Sequence, residues 1–267
     1  MNEEIFYRIS GSSLFVILFF LLIAASISGY LAGKRNRELV SETVKSHIST
    51  LQSSLLGLLA LMLGFTFAMT ESRYDLRKQL VLEEANALGT TYLRARLLPE
   101  PYASEAASLL REYVNLRAEL FKSGSNETDE VKLNEVNEKS GQFHDQLWSV
   151  ARNAASGDPR AVTTGLFIQS LNDVIDLHTK RLIALDNHIP EPIIMLLWAT
   201  ALLSMALTSY NYTLAEWRHF VVTTIMALLI TSIIYLIMDL DRPRRGLIQV
   251  SQKSMLMLHE NMLKNKP

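Results

Sequence analysis

The chain has 267 residues, a formal net charge of −1 and no cysteine, and its mean hydropathy is +0.14. The near-neutral balance provides no basic field for a phosphate polymer, and the missing cysteines exclude a disulfide scaffold, a thiolate metal site and a cysteine nucleophile. Charged residues make up 20% of the chain, yet none falls in residues 9–33, 48–70, 192–215 or 220–238, a segregation that excludes a soluble enzyme or nucleic-acid binder.

Each charge-free stretch is long enough to cross ~30 Å of hydrocarbon as a helix. The expected fold class is therefore all-α: a four-helix integral membrane protein with a helical cytoplasmic bundle inserted between the second and third spans. Residues 1–70 form the first membrane hairpin, 71–190 the bundle, 191–238 the second hairpin and 239–267 a cytoplasmic tail. The first apolar run is too long for a signal-peptide core and follows acidic residues, Glu3 and Glu4, so it reads as a retained span; cleavage after Ser26 is the alternative. Basic residues near the membrane number ten on the side of 71–190 and five on the other. That excess puts both termini and the bundle in the cytoplasm of a cell (inner) membrane protein, although Lys34, Arg35 and Arg37 argue the opposite way.

The second span carries two distinct faces. Ser53, Gly57, Ala60, Gly64 and Ala68 recur at helical spacing and let another helix approach closely, either within the chain or between subunits. Leu58, Leu61, Phe65 and Met69 form the other face. It either meets lipid or, repeated around an axis, makes an apolar constriction that gates by dewetting. No helix breaker follows until Pro99. In that extension Glu83, Asn86, Thr90 and Arg94 share a face, which either pairs internally in a bundle or lines a wet passage.

The bundle divides at recognisable punctuation into helices over roughly 71–96, 103–122, 129–155 and 159–188. Pro99 and Pro101 end the first, Ser123 to Asn126 form a loop, and Asp158 followed by Pro159 reads as an N-cap with proline at the first helical position. The acceptor pattern Asn126–Glu127–Thr128 carries no weight at a cytoplasmic site. Phe167, Leu171, Val174, His178, Leu182 and Leu185 make one amphipathic stripe, with His178 as a packed core or interface histidine. His144 with Asp145 reads as solvated helix surface. The six histidines are not spaced as a catalytic or metal-binding set, so no catalytic, cofactor-binding or metal-ligating residue is assigned and no cofactor is expected.

The third and fourth spans are joined by a short turn at 216–219, with Tyr210, Tyr212 and Trp217 at interfacial positions. The fourth ends at Asp239–Leu240–Asp241–Arg242–Pro243. Asp239 or Asp241 is expected to pair with Arg73 or Arg77 at the membrane edge, so that neutralising Arg73 alone destabilises more than neutralising it with Asp239. Ordinary interfacial charge is the alternative. In the tail, Leu247, Val250, Met255, Leu258 and Met262 recur at helical spacing; they contact the bundle, lipid or, by preference, a neighbouring subunit.

The run from Gly64–Phe65–Thr66–Phe67 through Ser72–Arg73–Tyr74–Asp75–Leu76–Arg77 to Glu84–Ala85–Asn86–Ala87–Leu88–Gly89–Thr90–Thr91–Tyr92–Leu93–Arg94 resembles the bacterial membrane family called bestrophin-like. Asp239–Leu240–Asp241–Arg242–Pro243 and Gly246 resemble that family's ending. Through true bestrophins the resemblance implies a homo-oligomeric, pentameric ion channel in the lipid bilayer. Phe65 and its neighbours would then form the neck, and the helix from Glu83 to Arg94 would line a cytosolic vestibule. The acidic calcium clasp of eukaryotic bestrophins has no evident counterpart, and ion selectivity does not transfer. A membrane-anchored signalling, sensory or scaffold protein is the alternative function, and it would place 71–190 outside the cell.

Overall fold

The computed structural model describes Tyr7 and residues 9–122, 130–215, 220–242 and 246–264, without the side chains of 120–133. The turn at 216–219 with Trp217 and Arg218, the loop after Ser123, the Asn126 pattern, Arg8, Arg244 and Arg245 lie outside the described residues. Among these residues the regular structure is helical, with no strand.

The helices are α1 (Gly11–Asn36), α2 (Glu42–Ala95), α3 (Tyr102–Lys122), α4 (Glu130–Gly157), a π turn (Ala161–Gly165), α5 (Leu166–Asp186), α6 (Glu191–Leu214), α7 (Phe220–Asp241) and α8 (Lys253–Lys264). The Ser10 hydroxyl accepts the Ser13 N–H and starts α1. Lys34 and Arg35 complement the dipole of its last turn. No proline interrupts the 54 residues of α2, so the second span and its extension are one helix. Pro192 sits in the first turn of α6, where its missing N–H costs nothing. Among the described residues four helices are long and apolar enough to cross a membrane.

The chain folds as two compact units, one made of Met1–Arg73, His188–Arg242 and Gly246–Ile248, the other of Tyr74–Asn187, Pro243–Arg245 and Gln249–Pro267. In the first unit α1 packs chiefly on α6 and then on α7. A Cβ at Gly29 would overlap the Ala206 carbonyl, and one at Gly33 would lie 2.9 Å from the Tyr210 oxygen. Only glycine permits this backbone approach, which builds contact where burial of apolar surface from water cannot drive it. Ser26 and Ser209 hydrogen-bond across the same seam at 3.2 Å. Leu18, Leu22, Leu59, Leu197, Met205 and Ile234 fill the core. Buried threonines satisfy their hydroxyls on the preceding turn, Thr66 on Met62 O at 2.7 Å and Thr231 on Ala227 O at 2.8 Å. That arrangement suits a medium without water.

The second unit is a helical bundle with its own core of Leu88, Leu110, Tyr113, Leu147, Phe167 and Leu171. Three features differ from the sequence reading. Pro159 precedes the helix, which begins at Ala161 through the π turn. The Asp158 carboxylate accepts the Arg160 N–H at 3.2 Å and the Thr163 hydroxyl at 2.7 Å, which makes a turn instead of a direct helix start. The tail preferred as a subunit contact buries Met255 and Met262 in this chain's own bundle, because their seven-residue spacing puts both on one side of α8. His144, expected on the surface, is buried.

Candidate functional site

The first-unit part of α2 is covered on one side only. Gln52, Leu59, Thr66 and Thr70 are buried, a stripe at helical spacing facing this protomer. On another side Leu58, Leu61 and Phe65 are 48%, 55% and 69% exposed, and Met69 is half-buried. The small-residue face is uncovered as well: a Cβ at Gly57 or Gly64 would meet no atom within 4 Å. Within the protomer the close helix approach is made instead by Gly29 and Gly33 of α1.

In the second unit the polar residues singled out on α2 have separate surroundings. Glu83 is half-buried and accepts from Gln79 at 2.7 Å, whereas Asn86 and Thr90 are exposed. Arg94 donates to the Leu166 carbonyl at 3.0 Å and braces the start of α5. Arg77 is buried and donates to Ala184 O at 2.9 Å and Asn187 O at 2.8 Å.

The inward side of the same segment holds an ionic cluster that the sequence reading did not single out. Glu84 is 0% exposed. Its carboxylate pairs with Arg117 of α3 at 3.1 Å and with Arg181 of α5. The His178 Nδ1 lies 3.9 Å from Glu84 and 3.3 Å from the Tyr113 hydroxyl. The His144 ring stacks edge-on against His178, centroids 5.0 Å apart. Gln252 accepts from Arg181 at 2.7 Å. Burial alone would raise the Glu84 carboxyl, but Arg117, His178 and Arg181 outweigh it and hold the group far below the usual carboxylate range. Burial pushes the Tyr113 phenol up, keeping it neutral. The cluster joins residues from α2, α3, α4, α5 and the segment before α8.

At the end of α7 the two aspartates separate in role. Asp241 is 0% exposed and accepts from Tyr7 and from the Ile189 N–H at 2.7 Å, with Arg73 at 3.6 Å and His188 Nδ1 at 3.7 Å. Asp239 instead takes the N–H groups of Leu247 and Ile248, each at 2.9 Å. Gly246 has φ +111°, and a Cβ there would overlap the Asp239 carboxylate, so the close approach requires glycine. Arg242 donates to Ile9 O at 2.8 Å. The donors gathered on Asp241 are hydrogen-bond donors and cations, which compete with a metal ion for its oxygens. Among the described residues no group of three or more His, Asp or Glu is arranged to hold a metal.

Of the two aspartates expected as partners, Asp241 is the one that meets Arg73 in this geometry, so the double variant pairs Arg73 with Asp241 in place of Asp239. The expected result is that Arg73→Gln and Asp241→Asn each lower detergent stability, and the double variant loses less than the sum. The coupling should be on the order of 1 kcal/mol. Additive losses in thermal unfolding would show that the pair contributes nothing.

The Bestrophin-like domain matches this sequence over residues 14–255. A bacterial bestrophin homolog from Klebsiella pneumoniae is similar in structure, with 18% identity and a TM-score of 0.65; the match covers 93% of this chain and 97% of that one. A single-substitution form of that homolog gives 18% identity and a TM-score of 0.67 over 93% and 97% of the two chains. At this identity the likeness is one of fold. A search of curated protein sequences finds no significant match.

Proposed function

This chain belongs to the bestrophin-like family, and from that premise we propose that it is the subunit of a homo-oligomeric ion channel in the cell membrane. Leu58, Leu61, Phe65 and Met69 form the apolar neck, and the polar side of the α2 extension lines a vestibule. The observation that carries this reading is the uncovered side of α2. A helix that buries one stripe in its own protomer and exposes both an apolar and a small-residue face is suited to packing against copies of itself around an axis. Counted at 3.6 residues per turn along one unbroken helix, Leu58, Leu61, Phe65, Leu76, Glu83, Thr90 and Arg94 fall on a common side. An apolar belt followed by polar groups suits a dewetting gate opening into a wet passage.

Five copies, with both termini and the bundle in the cytoplasm, complete the proposal. Arg77 and Arg181, two of the ten basic residues on that side, are buried in the bundle, which leaves the other eight to set the orientation. The purified protein is expected to have an oligomeric mass and to conduct ions in planar bilayers. A stable monomer without conductance would remove this reading. A reporter fused after Lys264 that is active only outside the cell would reverse the orientation.

A further inference from the structure

We propose that His144, packed edge-on against His178, is a proton-operated latch that holds α4 in the second-unit bundle, closed while its imidazole is neutral and opened when acid charges it. The inference stands apart from the permeation reading, since it concerns the bundle alone.

Both rings are buried, His144 on α4 and His178 on α5, and they meet edge-on at 5.0 Å. The charged and titratable groups facing them come from each packed element. From α2 comes Glu84; from α3 come Tyr113, whose ring centroid is 5.2 Å from that of His144, and Arg117. From α5 comes Arg181. Ahead of α8, Gln252 reaches Arg181 but adds no charge.

Glu84 is the carboxylate of this cluster: Arg117 and Arg181 both hydrogen-bond to its Oε2, whereas its Oε1, 3.1 Å from Arg117 and 3.9 Å from the His178 Nδ1, has no hydrogen-bond partner. A proton on His144 is poorly served. Its Nε2 is buried without a hydrogen-bond partner and Arg117 repels the charge, while the attraction of Glu84 does not offset burial. Asp145 next to it favours the charge but is itself exposed.

Burial first, then His178 and Arg117, push the His144 imidazole down to about 4 from its ordinary 6.5. Between those values the opened state binds a proton that the closed state refuses. Stability of the closed latch is complete above about pH 6.5 and falls as pH drops toward 4. Accepting the proton requires α4 to turn its His144 side toward water, and the buried Leu147 and Val150 re-form their apolar contacts on neutralisation.

The test is hydrogen exchange on the full chain in detergent micelles, with protection factors corrected for the intrinsic pH dependence of exchange. Between pH 7.5 and 5, protection across 134–157 should fall by up to about tenfold per pH unit below 6.5, the slope of one linked proton. Amides of α1 and α6 should be unchanged, and His144→Phe should abolish the loss. Unchanged α4 protection in the parent protein, or an equal loss in His144→Phe, overturns the proposal. Should that variant fail to fold, an NMR titration of the parent decides: a His144 ring that titrates at or above 6.5 overturns it, and one well below supports it.

Discussion

Replacing Glu84 with glutamine is expected to cost about 3–5 kcal/mol of stability, the range seen when one partner is removed from a buried ion pair. The amide has almost the same shape, so packing is preserved and the loss is electrostatic. Arg117 and Arg181, 3% and 4% exposed, would no longer share a counter-charge away from water. The size of the effect follows from position more than from the number of contacts, because this carboxylate joins three helices of the bundle. The complementary variant, Glu84→Met with Arg117→Met and Arg181→Met, should recover much of the loss, since an apolar replacement carries no desolvation cost. Thermal unfolding followed by helical circular dichroism measures both. A Glu84→Gln protein within about 0.5 kcal/mol of its parent, the usual range of a surface substitution, would mean that water reaches the cluster.

The same carboxylate separates two acid transitions. Because the Glu84 value is lowered on folding, its contribution is complete above the ordinary 4.5 and is lost as pH falls below it. The His144 contribution is lost at higher pH, beginning below 6.5. Loosening of α4 should therefore precede general acid unfolding of the bundle.

Charge segregation made the four spans and the long second helix legible, because hydrocarbon imposes a length and a composition that few other environments require. The Glu84 cluster was harder to see. Its members lie on helices far apart in sequence, and no local spacing brings Glu84 to Arg117 or Arg181. One signal is present on another side of the helix: Arg77, Leu80, Glu84, Leu88, Thr91 and Ala95 follow helical spacing, and all are buried. A carboxylate inside an apolar stripe is a stronger sign of a specific partner than Glu83 on the polar face. The α5 stripe shows the same difficulty. Periodicity runs it through Leu182 and Leu185, yet Arg181 is the buried residue and the two leucines are half-buried. A long aliphatic stem lets arginine occupy a core position that a hydropathy pattern assigns to its neighbour. Likewise Asp239 and Asp241 looked equivalent, and only the chain's return at Gly246 distinguishes a loop anchor from an ion-pair acceptor.

The other large effect concerns Phe65. If copies of α2 surround a pore, Phe65→Ser should raise the current through reconstituted protein by at least tenfold. Wetting the narrowest apolar ring needs to remove only about 1.4 kcal/mol of barrier for that change. The oligomeric mass should stay as it was, because Phe65 and the small-residue face point to different sides of the helix. Gly64→Leu should do the reverse, since a Cβ there meets nothing within the protomer and the added side chain would obstruct a neighbouring copy, so assembly falls and the current falls with it. Leu229→Ser is the control for a generally loosened membrane domain: Leu229 is 59% exposed on α7, and serine there should leave the current unchanged. An unaltered current in Phe65→Ser, with assembly intact, would assign Phe65 to lipid and remove the neck. A lost oligomer in Phe65→Ser with an unaffected Gly64→Leu would exchange the two faces, making Phe65 the subunit contact and the glycines the open side.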